Sequence, residues 1–226
     1  MKAHLAMAFL IISFQQLTFA SSLTEVTEFT DIINRIQLEE NTAYKVAQTS
    51  VSDSCQVFMD KDYFLGKMGK SIYTELTQNP EDYPFLLHGG TLNNYCPKYS
   101  KMSASKKASV WVLIMTVMAH FESSCADGAK AKGPNGTAYG YFQLHKGKEA
   151  GYLADSDACP TNSSTNAKLS TKCALAMLEL QLRKTGGDLF NKRSYWDVLR
   201  PKGQSKKAHQ ISRAIGRYSV CNPVAM

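Results

Sequence analysis

The sequence predicts a mainly α protein with a small β or loop insertion, stabilised by disulfides. Three observations carry that prediction. The run "ASVWVLIMTVMAHFESSC", residues 108–125, is apolar nearly all round from Val110 to Ala119, the pattern of a helix buried on every side. Further segments repeat their apolar residues at helical spacing, and no alternation is long enough to argue for a sheet. Six cysteines, an even number, all follow an export-type leader, and that combination reads as disulfides.

The elements follow in order. "MKAHLAMAFLIISFQQLTFA" has the three-part layout of a secretory signal peptide: Lys2, an apolar run from Leu5 to Phe14, and small residues at Thr18 and Ala20. The run is too short to span a bilayer, and Gln15 and Gln16 interrupt it, so residues 1–20 are set aside as a leader that leaves no membrane anchor. From Leu23 to Glu40, Leu23, Val26, Phe29, Ile33 and Ile36 form the stripe of an amphipathic helix. The stretch up to Ser100 reads as short helices and loops, broken by Pro80, Pro84, Gly89 and Gly90. Ser103 or Ser105 can then cap the central helix, because a serine hydroxyl accepts from the orphan donors of a helix start.

The polar, glycine-rich stretch 126–152 cannot be one helix and suits a small hairpin or a series of turns around Gly133, Pro134 and Gly136. Thr171 to Lys184 is a second strong helix, ended by Gly186 and Gly187. The last helix, within 205–218, places Ala208, Ile211, Ile215 and Tyr218 on one face.

Composition narrows the function classes. About 200 residues follow the leader, 44% of the chain is hydrophobic and only 20% is charged, which fits a compact globule with a real core. A monomer is expected. Cys55, Cys96, Cys125, Cys159, Cys173 and Cys221 form no C-x-x-C, and none sits beside a histidine at ligand spacing, which argues against zinc. Of the fifteen pairings, Cys159 with Cys173 is preferred because the two bracket a short polar loop. Closing that loop contributes roughly 3 kcal/mol in the chain-entropy treatment. The formal charge of +7, or +6 once Lys2 leaves, draws the chain toward anionic polymers such as an acidic cell wall. Its basic residues are scattered, with no aromatic-interleaved basic strand or recognition helix, so nucleic acid is excluded as a partner.

Glu122 is the one residue out of place. An average glutamate at a helix end is frayed surface. This one ends a helix that is core on every side, is followed by hydroxyls in "ESSC" that can orient a carboxylate, and has Cys125 three residues on to fasten the turn. A carboxyl half-buried beside Phe121 pays desolvation when it ionises, which raises its pKa and suits a general acid.

"FESSC" followed by "GTAYGYFQL" resembles the signature of the lysozyme superfamily, especially its lytic transglycosylase and goose-type lysozyme branch. In that branch a glutamate followed by serine ends a buried helix, and a glycine turn with an aromatic or aliphatic pair and a glutamine follows. Glu122, Ser123, Gly140, Tyr141, Phe142, Gln143 and Leu144 occupy those positions. The resemblance covers about a quarter of the chain beyond the leader. It implies a lysozyme-like α+β fold over residues 101–226, with 21–100 as a helical extension packed upon it. The implied partner is peptidoglycan, cut at the β-1,4 bond between N-acetylmuramic acid and N-acetylglucosamine. Glu122 would be the acid, Ser123, Tyr139, Gln143 and Tyr195 would contact substrate, and no cofactor or metal would be needed. The cysteine in "ESSC" and the other cysteines differ from housekeeping transglycosylases and resemble deacetylation-specific lysozymes of predatory bacteria, which implies a preference for deacetylated glycan.

Two departures matter. Animal-type lysozymes with a "T-x-Y-G" turn carry a second catalytic aspartate at x, where this chain has Ala138. Asp127, Asp155 and Asp157 are stand-ins that read more naturally as turn residues, so Glu122 is expected to act as both acid and base. The tyrosine-asparagine-x-glycine motif of the transglycosylases is absent, leaving Tyr195 in "SYWDVLR", or Tyr218, as the candidate tyrosine. His120 and His145 flank the motifs and read as hydrogen-bonded neighbours rather than catalysts. Asn135 and Asn162 match glycosylation acceptors, which matters only in a eukaryotic secretory pathway. The competing class is a non-catalytic wall-binding or inhibitor-type protein on the same scaffold.

Overall fold

The computed structural model describes residues 53–60, 64–133, 135–148, 151 and 157–222, all within the unit Ala43–Met226. The expected leader and the Leu23–Glu40 helix lie outside the described residues. The described helices are α1 (Lys67–Gln78), α2 (Pro84–His88), α3 (Ala104–Ser123), α4 (Ala167–Thr185) and α5 (Ala208–Arg217), joined by short 3-10 turns. A three-stranded antiparallel sheet, β1 (Lys130–Gly133), β2 (Gly136–Tyr139) and β3 (Leu144–His145), is inserted between α3 and α4. The class is the mainly α one with a small β insertion that the sequence predicts.

α3 organises the core. Ser103 caps it, its Oγ accepting from the Lys106 N–H at 3.4 Å, and every residue from Ala108 to Ala119 is buried. α1 and α5 both pack against it, and α4 packs on α1 and α2. Trp111, fully buried, donates its Nε1–H to Leu86 O at 3.0 Å, so the one polar atom of the largest core side chain is satisfied. The helix stops abruptly. Ser124 and Cys125 both adopt left-handed backbone, with φ of 53° and 58°, and their N–H groups return to His120 O and Ala119 O at 2.9 and 3.1 Å.

α1 spans twelve residues in the region read from sequence as short helices and loops. Gly66 and Gly69, which lower helix propensity, obscure it. Packing is what requires them: a Cβ on Gly69 would sit 1.9 Å from Phe58 O, and one on Gly66 2.1 Å from Gln56 O. The close approach lets the Cys55–Phe58 segment lie under α1, and the disulfide Cys55–Cys125 then ties that segment to the end of α3. Cys96–Cys221 and the expected Cys159–Cys173 complete the set.

α4 starts from the Asn166 cap, whose Oδ1 accepts the Leu169 N–H at 3.0 Å, and ends at left-handed Gly186. From its buried face Glu179 accepts the N–H groups of Phe85 and Leu86 at 3.0 and 2.9 Å, capping α2 from a distant part of the chain. Burial raises the Glu179 carboxyl, and those N–H donors with the Arg183 charge counter it in part. Among the described residues no helix is long and apolar enough to cross a membrane.

Candidate active-site cleft

Directly after the last buried turn of α3, half-buried Glu122 lines a cleft of about 290 Å³. The sheet forms one wall. Directly opposed residues of an antiparallel sheet share a face, and the register sets Ala131 opposite Ala138 and Ala138 opposite His145. All three line the cleft, with Lys132 and Gly133 beside them. Tyr195, Trp196 and Asp197 form the other wall.

The electrostatics separate two carboxyl groups. Burial, then the negative charge of Asp197, pushes the Glu122 carboxyl from 4.5 up to about 7, with the Arg200 charge pulling the other way. Asp197 moves in the opposite direction. Burial alone would raise it, but N–H donors of Ser205 at 2.7 Å and Gln204 at 3.2 Å, with the Arg200 guanidinium at 3.7 Å, hold it below the usual carboxylate range. The loop that supplies these donors can close only around a glycine, since a Cβ on Gly203 would lie 2.4 Å from Asp197 O. Near neutral pH the cleft therefore offers one carboxyl poised to give a proton and one fixed as an anion.

The turn between β2 and β3 is held from two sides. Gln143 takes a left-handed φ of 48° while its Nε2 donates to Gly140 O at 2.9 Å. Tyr195 donates its hydroxyl to Gln143 O at 3.0 Å, and the Tyr195 hydroxyl oxygen lies 2.7 Å from His145 Nδ1. With the one phenol proton committed to Gln143, Nδ1–H is the donor in the second contact. Burial and then the Lys148 charge lower the His145 pKa, which disfavours the charged ring. Trp196 Nε1–H bonds Phe142 O at 2.9 Å, fastening the Asp197 wall to the same turn.

Of the residues singled out by sequence, Glu122, Gln143 and Tyr195 converge on this cleft. Ser123 does not line it. Its hydroxyl lies 2.9 Å from Tyr141 O and 3.0 Å from Ala119 O, so it joins the helix end to the turn. Tyr139 also lies outside the lining. Adjacent strand residues point to opposite faces, and with Ala138 in the cleft the Tyr139 ring is turned away, between Lys130 and Lys146 Nζ at 5.6 and 5.9 Å from its centroid. Ala138 presents a methyl where a second carboxylate was sought. Asp127 and Asp157 are exposed and outside the cleft, and Asp155 lies outside the described residues. Asp197 is the residue that sequence reasoning missed. Tyr218 is core, 1% exposed.

No known protein family matches the chain, and no curated protein matches it. Solved structures of Bd0314 DslA do. The wild-type protein superposes with a TM-score of 0.56 at 18% identity, and two single glutamate-to-glutamine mutants give 0.55 at 19% and 0.56 at 20%. Each comparison covers 69% of this chain and 91% of the other. At these identities the likeness speaks for the fold alone, a mainly helical arrangement with a small antiparallel sheet.

Proposed function

We propose that this protein is an exported glycosidase that cuts the β-1,4 bond between N-acetylmuramic acid and N-acetylglucosamine in peptidoglycan. The observation that carries the reading is the pair of carboxyl groups in one cleft, Glu122 raised to about 7 and Asp197 held low. Two titratable groups driven apart in this way assign themselves as acid and anion. The three disulfides support an oxidising destination outside the cytosol.

Protonated Glu122 would donate to the bridging oxygen as the bond to C1 breaks, and the developing positive charge on the sugar would be favoured by ionised Asp197. Glu122, now ionised, would take a proton from the group that completes the reaction. Water there gives a reducing end and a lysozyme outcome; the muramyl primary hydroxyl gives a 1,6-anhydro end and a transglycosylase outcome. Asp197 supplies the second carboxylate that Ala138 withholds, so Glu122 need not act alone. The "ESSC" resemblance adds a preference for deacetylated glycan to the proposal.

Loss of turbidity of purified walls, acetylated and deacetylated, measured with wild type and Glu122→Gln, tests it. The expected result is clearing by wild type, faster on deacetylated walls, and none by the variant. Equal clearing by both proteins removes Glu122 as the acid. Binding without clearing by wild type supports the wall-binding reading instead, and mass spectrometry of the released fragments separates anhydro from reducing ends.

A further inference from the structure

A separate cavity of about 240 Å³ opens between the end of α3 and α5 and shares no lining residue with the cleft. Its apolar lining includes buried Val117 and Ala214, and Phe121 and His120 stand beside them. Arg213 and Arg217, four residues apart and so on one helical face, line it from α5. Lys207 adds a third fixed charge nearby, its Nζ 4.9 Å from the Phe121 ring centroid. No carboxylate lines the cavity, and among the described residues Arg213, Arg217 and Lys207 have no ion-pair partner.

Helix stability does not account for this arrangement. Arg217 in the last turn of α5 suits the helix dipole, but Lys207 stands at the opposite end, where a cation is unfavourable, and Arg213 lies between. Among the described residues, His120 Nδ1 is buried with no hydrogen-bond partner. Three like charges around a concave, partly apolar surface are best explained by an anion that seats there.

We propose that this cavity binds the C-terminal carboxylate of a short peptide with small aliphatic side chains. Two guanidinium forks match a planar carboxylate with paired N–H donors. The Val117 and Ala214 surface takes methyl groups, which a bare inorganic anion would leave unused. The volume equals the space of about eight waters, enough for one or two small residues. Peptide stems of the wall polymer carry such carboxylates; that source, unlike the site, rests on the proposed function.

Calorimetric titration of the full chain with N-acetyl-alanyl-alanine, its C-terminal amide and inorganic phosphate tests the site. Saturable binding of the free acid is expected, weakening as salt rises. The amide and the double variant Arg213→Gln/Arg217→Gln should each bind at least about tenfold more weakly. Both arginines are exposed, so the variant should keep its fold, which circular dichroism checks. Absence of saturable binding by wild type at low salt overturns the proposal, as does undiminished binding by the double variant or phosphate binding as tightly as the peptide acid. Glu122→Gln should bind the peptide as wild type does, so failure of the glycosidase reading and failure of this one are read separately.

Discussion

Replacing Glu122 by glutamine should make the protein more stable at alkaline pH while removing the proposed activity. The Glu122 carboxyl sits at about 7 in the folded chain against an ordinary 4.5. At ~1.4 kcal/mol per pH unit, holding it ionised in the fold costs up to about 3 kcal/mol. The direction follows from where each state loses its proton. Below about pH 4.5 both states are protonated and the cost is absent; between there and about 7 only the unfolded chain ionises; above 7 the full cost is present. Glutamine, nearly the same shape and never charged, escapes it. Thermal unfolding of the two proteins should therefore coincide near pH 4 and separate near pH 8.5, with the variant melting about 6–12 °C higher. A gap that is the same at both pH values refutes the claim that burial and Asp197 raise Glu122, whatever the activity of the variant.

Other perturbations follow from the same contacts. Asp197→Asn removes a charge that raises Glu122, so the alkaline limb of the kcat/KM profile on wall substrate should move to lower pH, though not to the ordinary glutamate value because burial is the larger cause. An unmoved limb would separate the two carboxyl groups. Glu179→Ala leaves the Phe85 and Leu86 N–H groups without their acceptor and should cost about 2–3 kcal/mol in urea unfolding, with wall activity per folded molecule retained. Gly69→Ala forces a methyl toward Phe58 O and should destabilise by more than ~1 kcal/mol; a neutral or stabilising result would show that α1 and the Cys55–Phe58 segment are free to separate.

The parts of the fold legible in the sequence are those specified by nearby residues. α3, α4 and α5 announce themselves through apolar pattern, a Ser cap or a terminal glycine, though α4 starts at Ala167 rather than Thr171, and Cys159–Cys173 through proximity along the chain. α1 was illegible because its glycines serve a tertiary contact that local propensity opposes. Glu122 stood out because a charged residue ending an apolar helix is a local anomaly. Asp197 did not, since "YWDVL" looks like an ordinary 3-10 start and only the fold carries it to the cleft. Tyr139, singled out with its neighbours in "TAYGYFQ", is placed beside the cleft lining rather than in it. Tyr139 follows cleft-lining Ala138 on one strand and carries its ring between Lys130 and Lys146.

The charge state of Glu122 bears on whether the scaffold is used or merely inherited. Gln143 in the cleft lining holds left-handed backbone at a cost of order 1 kcal/mol, as do Ser124 and Cys125 at the end of α3 and Lys98, Asn162 and Lys206 in other turns. Glu122 adds up to about 3 kcal/mol above neutral pH. Away from the cleft, Ser103 and Asn166 cap α3 and α4, and the large buried Trp111 is satisfied. A wall-binding protein has no use for a carboxyl raised toward neutrality, and a glutamine at 122 would relieve it without disturbing the helix, the disulfide at Cys125 or the turn. A general acid needs that raised carboxyl, together with an anion held low beside it. The unfavourable charge on Glu122, with Asp197 held low in the same cleft, therefore favours catalysis over binding alone.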